Sequence, residues 1–285
     1  FSMALSADGR QLAFVAADKN AVRLWVRRLD AAEAHPVPNT DGASFPFWSP
    51  DGTSIGFVAN GKLKRIALDG TRPTVLANAA SARGGSWGPQ GEILVVPAVG
   101  SIFRVAASGG ELVQVTHAAA GDAHRAPRWL PDGRRYLYFL QSGVPERRGI
   151  YLATLDQPEG TRLVAADSAG QYRPPGELVY VKDGTLVAQA VNLDGQVLIG
   201  EPMTIASDIA VDAGLSSRGA FDTSASGLVA YRSGEDLLQL LWLNDDGTAA
   251  PAVSTHFESS SAQPQMSRDG RRVLARQSLQ GNDDI

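Results

Sequence analysis

Gly84-Gly-Ser-Trp-Gly88 matches the Gly-x-Ser-x-Gly pattern that presents the nucleophile of many serine hydrolases. That pattern works because a strand-to-helix elbow exposes the serine hydroxyl. Here Gly91 and the apolar run Ile93–Val96 follow, with no helical pattern, so Ser86 is expected to be structural. Four aspartates, Asp8, Asp51, Asp132 and Asp269, sit in near-identical turns and suggest calcium or acid–base chemistry. They lie one repeat apart and cannot converge on one ion, and a turn aspartate commonly bonds nearby backbone N–H groups instead. The four histidines, His35, His117, His124 and His256, show no metal-ligand spacing. The chain has no cysteine, which excludes disulfides, cysteine zinc sites and thiol catalysis. No catalytic constellation, metal site or cofactor is therefore implied.

These residues hang on a repeated frame. Leu5-Ser-Ala-Asp-Gly9, Trp48-Ser-Pro-Asp-Gly52, Trp87-Gly-Pro-Gln-Gly91 and Trp129-Leu-Pro-Asp-Gly133 are copies of one unit. Tyr172-Arg-Pro-Pro-Gly176 and Thr223-Ser-Ala-Ser-Gly227 are degenerate copies, and Met266-Ser-Arg-Asp-Gly270 is a clean one. The period is about 43 residues, with one longer interval of 51 between Gly176 and Gly227. Each Pro-Asp-Gly centre is turn chemistry, because proline presets φ and glycine accepts φ > 0. An apolar run follows, such as Ile55-Gly-Phe-Val58 or Tyr136-Leu-Tyr-Phe139, then an alternating segment, such as Gly149-Ile-Tyr-Leu-Ala-Thr-Leu155 or Leu238-Gln-Leu-Leu-Trp-Leu243. Alternation with period two marks half-buried strands. No window carries a helical stripe.

Four short strands per unit of this length predict an all-β fold, a β-propeller of four-stranded antiparallel blades. The spacing places six complete blades at about 1–40, 41–80, 81–121, 122–168, 169–213 and 214–258. Residues 259–285 are expected to begin a further, partial blade, all within a single propeller spanning 1–285. The chain begins at Phe1 and stops where a third strand would start, which reads as a fragment of something longer.

Propeller topology gathers the segments that precede each inner strand around one mouth of the central channel. Those segments contain Ser44-Phe45, Arg83, His124-Arg125, Gln171-Tyr172-Arg173, Ser217-Arg218 and Ser260-Ser261. Arginines thus recur at one level of a protein whose formal net charge is −4. A ring of guanidinium groups about a concave mouth focuses positive potential and can hold a carboxylate or phosphate bidentately. The expected ligand-binding residues are Arg83, His124, Arg125, Tyr172, Arg173 and Arg218, with pairing to Asp122 or Asp222 as the competing use of the arginines. The net acidic charge argues against nucleic acid as a partner. No apolar run approaches the roughly 18 residues of a membrane helix, so no membrane insertion by this segment is expected.

The repeated Trp-Ser-Pro-Asp-Gly followed by an apolar strand resembles the TolB-like propeller repeat, a group akin to Trp-Asp repeats, along essentially the whole chain. Gly42-Ala-Ser-Phe-Pro-Phe-Trp-Ser-Pro-Asp-Gly52, Gly61-Lys-Leu-Lys-Arg-Ile66 and Leu130-Pro-Asp-Gly-Arg-Arg-Tyr-Leu-Tyr-Phe139 look like the propellers attached to bacterial Ser/Thr protein kinases. The kinase signature itself is absent from this sequence. The resemblance implies a non-catalytic sensor or binding propeller, extracytoplasmic or periplasmic, that takes a protein partner or a small anionic ligand. Two alternatives stand beside it. One is the gating propeller of a prolyl-oligopeptidase-like peptidase. The other is a propeller lyase or glycosidase acting at the channel mouth, which needs paired carboxylates or metal-binding histidines.

Overall fold

A computed structural model describes residues 2–17, 21–69, 72–97, 100–212 and 216–233, and beyond them the backbone of short strands up to Asp284. The chain divides into two units, Phe1–Arg232 and Ser233–Ile285.

In the first unit, five four-stranded antiparallel sheets follow one another in chain order. Blade one is β1 (Met3–Leu5), β2 (Gln11–Ala17), β3 (Val22–Arg28) and β4 (Ala34–Pro36). Blade two is β5 (Ser44–Trp48), β6 (Ser54–Ala59), β7 (Lys62–Ala67) and β8 (Thr74–Asn78). Blade three is β9 (Gly85–Trp87), β10 (Glu92–Val95), β11 (Phe103–Ala106) and β12 (Val113–Gln114). Blade four is β13 (Ala123–Trp129), β14 (Arg135–Gln141), β15 (Gly149–Thr154) and β16 (Thr161–Val164). Blade five is β17 (Gln171–Arg173), β18 (Glu177–Lys182), β19 (Thr185–Asn192) and β20 (Val197–Ala206). Two small pairs follow, β21 (Val211–Asp212) with β22 (Arg218–Gly219), and β23 (Phe221–Thr223) with β24 (Val229–Tyr231).

Among the described residues there are five such blades, where six and a partial one were expected. The sixth repeat keeps its first two strands, β23 and β24, and they lie beside the inner strands of blades five and one. Thr223 N–H donates to Gln171 Oε1 at 2.9 Å, and Leu5 N–H donates to Asp222 Oδ2 at 2.6 Å. The segment expected to be its third strand belongs to the second unit. There β25 (Leu237–Leu238) pairs with β28 (Phe257–Glu258), and β26 (Leu241–Leu243) pairs with β27 (Ala249–Pro251). Alternating apolarity fixes strand type but not strand partner, and in a short, weakly specified strand the register is open to alternative pairing. In place of a partial blade over 259–285, β29 (Gln265–Met266) pairs with β30 (Val273–Leu274), and β31 (Gln277–Leu279) with β32 (Asn282–Asp284). The interval of 51 residues has a cause in blade five, where β20 runs for 10 residues.

The turns explain the repeat. In blade two, Asp51 Oδ1 accepts from Ser49 Oγ at 2.5 Å and from Thr53 N–H at 3.0 Å. Ser54 N–H closes back on Ser49 Oγ at 2.9 Å, while Gly52 adopts φ 70°. Blade one repeats the pattern with Ser6, Asp8 and Gln11, and Asp132 caps its turn by accepting from Arg134 and Arg135 N–H. At the sixth repeat, Ser226 stands where the aspartate was, 2.8 Å from Ser224 Oγ, which accepts from Leu228 N–H at 3.0 Å. Asp269 lies outside the described residues.

Apolar side chains pack between blades rather than within one centre. Leu24, Ile55, Phe57 and Ile66 join blades one and two; Leu63, Ile93 and Val105 join blades two and three. Tyr136, Tyr138 and Ile102 join blades three and four; Phe139, Leu152 and Tyr180 join blades four and five. Each fully buried side chain of this kind contributes about 1.5–3 kcal/mol. Trp48 also donates its indole N–H to Ala4 O at 2.9 Å, so the anchor tryptophan bonds one inner strand to the previous blade.

Candidate anion site at one end of the channel

The inner strands of blades two, three and four begin in the same irregular way. Three residues before Trp48, Trp87 and Trp129 lie Phe45, Gly84 and Ala126, with φ of 51°, 109° and 44°. Pairing slips between Ser44 and Phe47 in blade two, and between Arg125 and Arg128 in blade four. Pro46 and Pro127 follow the first and third of these residues, and proline cannot donate to a ladder. A bulge of this kind re-aims the neighbouring side chains. One position earlier stand Ser44, Arg83 and Arg125. A fourth left-handed residue, Ser217 at φ 54°, precedes Arg218 on β22.

Arg125 is 9% exposed, and its Nη1 has no hydrogen-bond partner among the described residues. Burial, then the nearby charge of Arg83, lowers its pKa below the ordinary guanidinium value, with Asp212 opposing. Arg83 is half-buried. Arg218 reaches the same place from the sixth repeat. Its guanidinium lies over the Phe45 ring at 5.9 Å from the centroid. It also sits against Gly84, where a Cβ would fall 2.3 Å from Nη2, so a side chain here would displace the guanidinium, while the φ of 109° itself favours glycine. Burial, then the charge of Arg128, pushes the Arg218 pKa down to about 10, against the pull of Asp222 and Asp212. Asp212 is the register partner of Arg218 and accepts from Ser216 Oγ at 2.8 Å.

Deeper in the channel, Arg128 crosses to the sixth repeat. Its Nη2 donates to Asp222 Oδ1 at 2.6 Å, while the other carboxylate oxygen takes the Leu5 N–H. Asp222 is 2% exposed and so joins three inner strands, β1, β13 and β23, through two acceptors. A cavity of about 30 Å³ lies here, lined by Ser2, Arg128, Gln171, Arg218 and Asp222 among others. No group of three or more His, Asp and Glu side chains among the described residues could hold a metal ion.

The structure separates the six residues expected at the mouth. Arg83, Arg125 and Arg218 come together. His124 does not join them, because neighbours on a strand face opposite sides. It is 5% exposed in blade four, with Nδ1 2.7 Å from Thr116 Oγ1 and its ring 4.7 Å from that of Tyr138. Burial pushes its pKa down to about 4, with the Asp122 carboxylate opposing and Arg147 adding to the shift. Tyr172 packs against the core between blades four and five and donates its hydroxyl to Pro175 O at 2.8 Å. Arg173 adjoins the turn at the far end of β17, where its Nε donates to Glu177 Oε2 at 2.6 Å. Asp122 pairs with Arg147 at 2.5 Å, and Asp222 pairs with Arg128 rather than with a mouth arginine. Ser86 is 7% exposed and its Oγ accepts from Trp129 N–H at 2.9 Å.

Sequence reasoning missed Arg128 and Asp212. Pro46 and Pro127 were the available signal for the bulges, since each sits inside an inner strand. Nothing local in the sequence marks the crossing of Arg128 to Asp222, which are 94 residues apart.

No protein-family model and no curated protein matches the chain. Among solved structures, TolB from Acinetobacter baumannii matches 71% of the chain with a TM-score of 0.56 and 17% identity. The chain spans about half of that protein, 54% of its length. A protein described as putative TolB from Agrobacterium tumefaciens matches 82% of the chain and 90% of its own length, with a TM-score of 0.59 and 17% identity. Oligogalacturonate lyase from Vibrio parahaemolyticus matches 99% of the chain and 87% of its own length, with a TM-score of 0.58 and 14% identity. At such identities the likeness establishes fold alone and does not reach the kinase-attached propellers. By its blades and by these neighbours, the chain has the TolB-like β-propeller fold.

Proposed function

We propose that this chain is a non-catalytic binding propeller that holds an anionic group at the channel end formed by Arg83, Arg125 and Arg218. One observation carries the reading: Arg125 is buried with an unpartnered Nη1, beside the like charge of Arg83. A buried, hydrogen-bond-less guanidinium nitrogen is costly, and it is offered to a group that can bind it. The left-handed residues at the same level add to this, since backbone strain gathers at ligand clamps. The ligand is a carboxylate or phosphate, free or carried by a protein partner. A sensor role within a larger extracytoplasmic receptor, such as a kinase, is the setting that the repeat resemblance suggests.

The lyase alternative has less support. The acidic side chains near the channel, Asp212 and Asp222, are engaged with Ser216 and with Arg128 and Leu5. His124, the base that reading would use, is buried against Thr116 and Tyr138. The peptidase alternative draws on no residue of this site.

The test is thermal unfolding during titration with sodium phosphate at constant ionic strength. Saturable stabilisation that disappears in Arg125→Met supports the site. A response no larger than that to sodium chloride removes it.

A further inference from the structure

The bulged inner strands carry different side chains at one level. At the left-handed position, blade two has Phe45, blade three Gly84 and blade four Ala126. Glycine takes this backbone conformation freely, whereas a bulky side chain is strained in it. A phenyl ring at φ 51° therefore needs a reason. Core packing does not supply one. Phe47, two residues on, is 3% exposed and joins the core between blades two and three. Phe45 is half-buried and belongs to no apolar cluster among the described residues. What lies over its ring is the Arg218 guanidinium. The same guanidinium fills the space that a side chain at Gly84 would need, with that Cβ position 2.9 Å from Cζ. Among the described residues, Arg218 makes no hydrogen bond and no ion pair. Asp212, its cross-strand partner, accepts from Ser216 Oγ, and Asp222 accepts from Arg128.

Resting on the anion reading, we infer that Phe45 is a positioning residue of the site: its ring in blade two, with the gap left by Gly84 in blade three, seats Arg218 without spending an N–H. An arginine in open solvent samples many rotamers, and a ligand that binds it must order it. An arginine fixed by a carboxylate is ordered, but its donors are occupied. Stacking on an aromatic ring orders the group through its face and leaves the N–H edge, the part that meets an oxyanion. Backbone strain of the kind held at Phe45 persists where a ligand clamp needs it. Blade four works differently. Ala126 offers no ring, and Arg125 beside it is held by burial.

Phosphate binding is measured by calorimetric titration at one ionic strength, with chloride as the balancing anion. The proteins are the parent, Phe45→Leu, Phe45→Tyr, Arg218→Met and the double variant Phe45→Leu with Arg218→Met. Phe45→Leu is expected to weaken phosphate binding about fivefold, the scale of a partly desolvated cation–π contact, with the anion-free unfolding midpoint unchanged. Phe45→Tyr keeps the ring and is expected to bind as the parent does. In Arg218→Met, where Arg83 and Arg125 remain, adding Phe45→Leu is expected to change nothing, because its effect runs through the guanidinium. Phe45→Met gives the same readout should Phe45→Leu fold poorly, and the Leu and Tyr pair decides alone should Arg218→Met bind too weakly to measure. Parent-like binding in Phe45→Leu, an equal loss in Phe45→Tyr, or an equal loss with and without Arg218 would overturn the positioning role while keeping the anion site. No saturable phosphate binding by the parent protein would overturn both.

Discussion

The two ends of the inner strands are built on different terms. At the turn end, the same side-chain chemistry recurs in several repeats, and the turn hydroxyls and carboxylates are bonded. Ser49, Asp51 and Thr53 bond one another, Ser6 and Asp8 do the same, and at the sixth repeat Ser224 and Ser226 substitute hydroxyls for the carboxylate. At the other end, the chemistry varies between blades. Ser44, Arg83 and Arg125 occupy one level, the residues after them are left-handed, and a buried guanidinium nitrogen has no partner among the described residues. In a repeat protein, the features that recur hold the fold. The features that break the repeat and leave polar groups open are where a ligand is to be sought.

The sharpest way to break this contrast is at the anchor beside the turn. Trp48 is 7% exposed and bonded to blade one, so Trp48→Ala is expected to cost about 3–5 kcal/mol in denaturant unfolding. A negligible loss would mean that the anchors do not join the blades.

His124 and Arg125 sharpen it next. His124 is neutral in the fold down to a pKa of about 4, whereas an unfolded histidine takes its proton near 6.5. The unfolded state therefore binds more protons between these values. Stability is constant above about pH 6.5 and falls as pH drops toward 4, by about 3 kcal/mol in all. His124→Leu should flatten that window, measured by unfolding free energy against pH; an unchanged slope would place the histidine in water.

A smaller effect is expected at the turn aspartate. Ser49, then the Thr53 N–H, lowers the Asp51 pKa in the fold. Its contribution is complete above the unfolded carboxylate value of about 4 and is lost as pH falls below it. Asp51→Ala should cost about 1 kcal/mol at neutral pH, and the gap to the parent protein should close in acid. The smallest effect belongs to the mouth. Arg125→Met is expected to leave anion-free stability unchanged or slightly raised, because it removes a buried charge whose Nη1 has no hydrogen-bond partner. A marked loss would show that Arg125 is answered within the fold and would take the binding site with it.

The blade pattern was legible because it is local. Trp-Ser-Pro-Asp-Gly specifies a turn within five residues, and alternation specifies which strand face is buried. The number of blades was less so. The sixth repeat has the same strand signals, yet only β23 and β24 take their place beside β17 and β1, and the following strands pair among themselves. The site was legible only in part. Reading the loop before each inner strand grouped Arg83, Arg125 and Arg218, which the structure places near one another. It also gathered His124, Tyr172 and Arg173, which the structure turns toward the core or places at the opposite turn.

The sequence by itself determined the repeat, the turn chemistry and the all-β architecture, because each rests on interactions between residues a few positions apart. Tertiary structure decided which arginines meet. A one-residue difference in register exchanges the two faces of a strand, and the bulges at Pro46 and Pro127 set that register. The bond from Arg128 to Asp222 and the seat of Arg218 on Phe45 and Gly84 depend on contacts between distant repeats, which no local pattern encodes.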